Sequence, residues 1–263
     1  MTLTNEGLGV VMKKILFIQI MFLLCFPLVA SSAKYAFISS EFAGISEYNE
    51  AGEPSGLGVD IIGKVAEDLD IRITIKIYPF NRMMFLIQDK SVDAAFGVYK
   101  KPDREEFMDY VDVSFFDDSY LFYTNHSTRL SWNGEMSSFP RDKVFCWVRG
   151  WSYFGELYKI KNQIRLQENS SLEGCLKMLV GKRFDLMAGP IRDIVPLIKK
   201  RGYGKRLKLI SKVKGLEGNY IAFPKDHLPL LQKQVKQSLI GILKSNWYLG
   251  KLRQYNLDEA VIE

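Results

Sequence analysis

The chain has 263 residues, 47% of them hydrophobic and 25% charged, with a formal charge of +6 and a pI near 9.0. That balance excludes a disordered chain and fits one or two globular domains. The basic excess is scattered among Asp and Glu, and its densest clusters, Lys199-Lys200-Arg201 and Lys205-Arg206, are too short for a nucleic-acid footprint, so no nucleic-acid partner is expected.

In chain order, the first segment is MKKILFIQIMFLLCFPLVASSA, Met12 to Ala33. Two lysines precede an apolar run of about 15 residues, and small residues close it, which is the layout of a secretory signal peptide. The run is shorter than the roughly 20 residues a membrane span needs. Residues 1–33 are therefore read as a cleaved signal peptide, with Met12 a candidate start. The mature chain then begins near Lys34, outside the cytoplasm. Two cysteines remain in that oxidising compartment, Cys146 and Cys175. They form a candidate disulfide, or else pack as two separate buried thiols.

Lys34 to Ser39 reads as a strand. GLGVDIIGKVAEDLD places Val59, Ile62, Val65, Ala66 and Leu69 at helical spacing. IRITIKIYP alternates, with Ile71, Ile73, Ile75 and Ile77 on one face, so it is a strand with one buried side. FNRMMFLIQ is a short helix, VDAAFGV a buried strand, and the basic segment after it a loop. SYLFYT, Ser119 to Thr124, is a further strand. After the polar stretch NHSTRLSWNGEMSSFPRD a second unit begins. VFCWV is a buried strand and GWSYFGELY opens a helix. Ser170 and Glu173 form a capping box for the next helix. FDLMAG is a strand, Pro190 to Lys200 a helix, and LKLIS and NYIAF two strands, with two helices closing the chain. This alternation of strand and helix argues an α/β fold.

Several motifs fail. Gly56, Gly58 and Gly63 miss the dinucleotide-binding spacing, and no phosphate-cradling loop is present. The two histidines, His126 and His227, are far apart and lack ligand neighbours, so no metal site is expected. No nucleophile elbow or Ser/His/Asp set recruits itself, and no cofactor is implied.

Taken together, PSGLGVDIIGKVAEDL, YPFNRMMFLIQDKSVDAAFG, PDREEFMDYVDVSFF, VRGWSYF, LVGKRFDLMAG and NYIAFPKDH, behind an exported start, resemble the family 3 extracellular solute-binding proteins. These are the amino-acid-type periplasmic receptors of ABC importers. The resemblance covers Lys34 to about Leu257. It implies a two-lobed fold, the type II periplasmic-binding-protein fold, with the ligand in a cleft between lobes joined by two crossing strands. Lobe 1 would be 34–123 plus 223–263 and lobe 2 would be 124–222, with crossings near Phe122–Asn125 and Tyr220–Phe223.

The resemblance also assigns roles. Arg104 takes the place of the arginine that grips a ligand carboxylate, which suits a planar guanidinium. Gly150, Trp151 and Ser152 would offer N–H groups at a helix start. Phe42 and Phe80 would stack on the solute. Tyr99 would supply a hydroxyl, Arg82 is a further candidate at the cleft edge, and Glu41, near Phe42, is a possible acid for a ligand's ammonium. Trp151 and Tyr153 would make the lobe 2 side aromatic. The acidic residue that holds an ammonium in amino-acid receptors falls at Pro190, which carries no charge, with Asp193 nearby. The carboxylate half of an amino-acid site is therefore kept and the ammonium half is in question. The implied function is capture of a small polar solute, an amino acid or other small carboxylate, by a monomer that closes by hinge motion. Its partner would be an inner-membrane ABC permease or a membrane sensor. The alternative is a cleft enzyme of the same fold, a cyclohexadienyl-type dehydratase, with Glu41, Asp193 or Glu173 as the acid.

Overall fold

KYAFIS becomes strand β1 (Lys34–Ser39), on which the first half of the molecule is built. The structure, a computed structural model, describes residues 34–151 and 153–258, with the backbone alone at 214–216. The segment 1–33 and Ser152 lie outside the described residues. A hairpin of β2 (Glu47–Tyr48) and β3 (Pro54–Ser55) leads into helix α1 (Leu57–Asp68). This helix buries Leu57, Ile61, Ile62, Val65 and Ala66 along one stripe, the spacing of a helix laid on a sheet. Strand β4 (Arg72–Ile77), helix α2 (Phe80–Gln88) and strand β5 (Ala94–Val98) follow. Both β4 and β5 run parallel to β1, an arrangement that needs crossover helices, here α1 and α2.

The segment after β5 is not wholly loop: Pro102 opens a single helical turn, α3 (Pro102–Glu105), where its missing N–H has no partner to lose. Strands β6 (Met108–Tyr110) and β7 (Phe116–Asn125) come next. The second half contains β8 (Val144–Val148), α4 (Gly155–Lys159), β9 (Arg165–Asn169), α5 (Leu172–Val180), β10 (Leu186–Pro190) and α6 (Ile191–Arg201). The long strand β11 (Leu207–Pro224) returns to the first half, where α7 (Pro229–Leu243) and α8 (Asn246–Gln254) close the chain. The sheet order is β4-β1-β5-β11-β7-β10-β8-β9, with β6 also on β11.

Some details depart from the sequence reading. The helix expected to open at Gly150 begins at Gly155 and is five residues long, because the preceding residues form a turn in which Trp151 N–H donates to Val148 O. The α5 cap is Ser171, not Ser170: its hydroxyl accepts from Gly174 N–H. Glu173 instead pairs with Lys177 and Arg201. LKLIS and NYIAF are parts of the one strand β11, whose register against β7 shifts between Leu209 and Ser211 and between Val213 and Glu217. The expected crossings also move. Residues 120–123 of β7 pair with β10, and 220–222 of β11 pair with β5. The strands therefore pass between the half-sheets where Phe116, Asp117 and Asp118 face Asn219, Gly218 and Glu217.

Each half-sheet carries its own core on both faces. In the first, Phe37, Phe96 and Phe223 pack with α1 and α7, and Ile38, Ala95 and Met108 pack with Met83 and Ile87 of α2. In the second, Leu176, Leu179, Met187 and Ile194 form one cluster. Phe122, Trp132, Phe139, Phe145, Trp147 and Phe154 form an aromatic one, with Phe122 and Trp132 ring centroids 4.8 Å apart edge to face. Tyr153 belongs to this aromatic core rather than to a cleft wall, and its hydroxyl accepts from Val148 N–H.

Cys146 of β8 and Cys175 of α5 are bonded, with Cα atoms 5.7 Å apart, and the bridge pins that helix to its sheet. The chain from Lys34 onward, denatured without reductant, is expected to show no free thiol, and reduction should destabilise it by about 2–4 kcal/mol in urea unfolding. Two titratable thiols before reduction would contradict the bridge.

Candidate functional site

A cavity lies where the two half-sheets face each other. Its lining comes from loop ends of both: Phe42, Phe80, Gly97, Val98, Tyr99 and Arg104 from the first, and Tyr120, Trp151, Pro190, Arg192 and Asp193 from the second. Its volume is about 30 Å³, room for about two waters. A solute the size of an amino acid enters only if the walls separate.

Local chain geometry sets each wall. Gly97 has φ of +76°, and a Cβ there would lie 3.3 Å from Phe42 and from Ile45, so only glycine lets β5 turn beneath the Phe42 ring. Gly150, with φ of +80°, comes within Cβ reach of Asn81 and Phe80 across the gap. Phe42 and Phe80 meet edge to face at 6.4 Å. Arg104, on the single turn α3, is buried. Its Nη1 donates to Tyr99 O at 3.1 Å, and its guanidinium lies 5.3 Å from the Phe80 ring centroid.

Beside it is a buried polar network that sequence reasoning missed. Asp118, at the strand crossing, receives Arg192 bidentately, Nε to Oδ1 at 2.7 Å and Nη2 to Oδ2 at 3.0 Å. The Tyr99 hydroxyl and Asn219 Nδ2 also donate to Asp118, at 2.7 and 2.8 Å. Arg192 Nη1 reaches Ala43 O at 3.3 Å and Asp193 at 3.2 Å, and its guanidinium lies 5.6 Å from the Phe42 ring. Burial opposes the charge on Arg192, but Asp118 and Asp193 override it and hold its pKa above the ordinary range. Burial likewise raises the Tyr99 hydroxyl well above its usual value, with Asp118 adding to it, so Tyr99 stays a donor.

A second buried pair joins the halves at the same crossing. Lys101 Nζ contacts Glu217 Oε1 and Tyr153 O, both at 2.8 Å. Burial lowers Lys101 and raises Glu217, and each is partly restored by the other. Pairs of this kind are weak net stabilisers but costly to break.

Phe42, Phe80, Tyr99, Arg104 and Trp151 thus line one cavity, together with Pro190 and Asp193. Arg82 does not: it is exposed and lies over Phe85 at 5.4 Å, because its place on α2 turns it to solvent. Glu41 is exposed and off the cavity, and Glu173 on α5 is half-buried and also off it. Among the described residues no group of acidic, His or Cys side chains could hold a metal. No described helix is long and apolar enough to cross a membrane.

The sequence profile of the bacterial extracellular solute-binding proteins, family 3, matches residues 37–256. The chain belongs to that family. The fold of this family 3 protein is shared with solved periplasmic binding proteins of the type II fold. One is an ancestral arginine-binding protein bound to arginine, 16% identical, with 84% of this chain and 97% of that one covered and a TM-score of 0.68. Another is an arginine 3rd transport system periplasmic binding protein from Legionella pneumophila, 15% identical, with 85% and 100% covered and a TM-score of 0.68. A third is a histidine kinase sensor domain with similarity to periplasmic binding proteins, 12% identical, with 85% and 96% covered and a TM-score of 0.68. No curated protein matches the chain by sequence.

The site makes two predictions. Lys101→Met leaves Glu217 buried without its cation and should cost about 3–5 kcal/mol in urea unfolding, most of it recovered by adding Glu217→Leu. A loss within error of zero contradicts the buried pair. Burial, with Asp118 adding to it and Arg192 opposing, pushes the Asp193 carboxyl up from 3.8 to about 6. An acid raised in this way contributes stability that is complete below 3.8 and is lost as pH rises through about 6. The wild-type melting temperature, taken relative to Asp193→Asn, should therefore fall between about pH 4 and pH 7. A constant difference over that range rules the assignment out.

Proposed function

We propose that this family 3 protein captures a small solute carrying a carboxylate, an amino acid or other small acid, by closing two lobes around it. The half-sheets are the lobes, and the strand pair at Phe116–Asp118 and Glu217–Asn219 is the hinge. The observation that carries this reading is the position of Arg104. It is a buried guanidinium against the Phe80 ring, in the wall of a cavity built from both halves. A guanidinium fork matches a carboxylate bidentately, and the rings of Phe42, Phe80 and Trp151 provide apolar walls that raise the worth of that contact. The small volume of the cavity supports a hinge motion as the route of entry.

The protein is read as exported to the periplasm by a cleaved signal peptide and acting as a monomer. It would serve an ABC importer or, as the likeness to a sensor domain supports, a membrane sensor. A cleft dehydratase is the second reading. It draws on one observation, that Asp193 lines the cavity with a pKa near 6, as suits a proton donor.

The test is a thermal-melt screen of the chain from Lys34 against amino acids, small carboxylates and aromatic acids. A ligand at about 100 times its Kd stabilises by about 2.7 kcal/mol. A hit recovered intact supports capture, and a hit recovered converted supports the dehydratase. Arg104→Ala should remove roughly 2–5 kcal/mol of binding to the hit. Unchanged affinity in that variant overturns the assignment of Arg104.

A further inference from the structure

Two guanidinium groups, Arg104 and Arg192, line the cavity. Arg104 stands against Phe80 and donates to Tyr99 O. Arg192 is enclosed by acceptors: both oxygens of Asp118, the Asp193 carboxylate, Ala43 O and the face of Phe42. Two carboxylates, a carbonyl and an aromatic face are the chemistry that recognises a guanidinium or ammonium group. The acceptors come from three separate segments: the loop after β1, the crossing strand β7 and the first turn of α6. They converge on one point, and the chain's own arginine fills it.

We infer that Arg192 is the specificity-determining residue of the cleft, a tethered cation that occupies the place a solute's cationic group would otherwise take. The solute class that follows is a carboxylate without an α-ammonium group. The physical reason is exclusion by charge and by space. The cavity beside Arg192 is about 30 Å³, and an ammonium brought there meets a like charge in a desolvated site whose acceptors are already engaged. This inference rests on the reading of Arg104 as the carboxylate grip.

The experiment uses matched acids that differ only by the α-amino group: propionate and alanine, glutarate and glutamate, 3-phenylpropionate and phenylalanine. Calorimetry on the wild-type chain from Lys34 should give at least about tenfold tighter binding for the member without the amino group, in whichever pair binds. Arg192→Ala should narrow or invert that ratio. Methylguanidinium, which fits the vacated acceptors, should raise the melting temperature of Arg192→Ala and leave the wild type unmoved. If the variant is unfolded alone, its recovery by methylguanidinium, and not by the same concentration of sodium chloride, is the same readout. Equal wild-type affinity for the two members of a pair overturns the inference, as does a variant that methylguanidinium neither stabilises nor recovers. If no acid of either kind binds the wild type, the solute reading fails on its own account, and methylguanidinium still decides whether Arg192 fills a cation site.

Discussion

The ion pair between Asp118 and Arg192 is the constraint on which the cleft depends. Asp118 lies where the chain passes from one half-sheet to the other, and Arg192 lies at the start of the helix that follows β10. Both are buried, and a buried charge is tolerated only when it is paired and its remaining lone pairs and protons are satisfied. Tyr99 and Asn219 complete the shell of Asp118, and Ala43 and Asp193 complete that of Arg192. One salt bridge therefore fixes the end of β5, both crossing strands, the loop after β1 and the first turn of α6 relative to one another. Those segments are also walls of the cavity. Their placement follows from satisfying this pair.

The rest of the architecture makes such a junction workable. Each half-sheet has cores on both faces and does not rely on the other half for its apolar burial. The described contacts that cross between them include polar ones: Lys101 with Glu217, Arg192 with Ala43, and the backbone of β7 against β11. Polar contacts at a boundary can be exchanged for water when the halves separate, whereas a shared apolar core cannot without a large penalty. The register shifts in β11 near Val213 and Glu217 put irregular backbone beside the crossing, where regular pairing would stiffen it.

The α/β alternation was legible because its signals are local. VDAAFGV and VFCWV are apolar runs, and α1 and α5 carry helical spacing of Leu, Ile and Val. What was not legible lacked such signals. β9 is a polar edge strand, RLQEN, and β6 is three residues long. Gly215 and Gly218 break the pattern of β11 so that one strand read as two. In the site, Arg104, Phe42, Phe80, Tyr99 and Trp151 could be named from the order of family segments. Asp118 and Arg192 could not, because they are 74 residues apart and each alone looks like a surface charge. Glu41 and Arg82 were named by proximity in sequence to Phe42 and Phe80, yet neighbours on a turn or helix face opposite ways.

The most direct test of this account is a crystal structure of the chain from Lys34 with a bound acid from the melt screen. The account predicts the carboxylate on Arg104 between Phe42 and Phe80, with Arg192 still paired to Asp118. An acid bound away from the cleft, or one whose own cation has displaced Arg192 from Asp118 and Asp193, would contradict it.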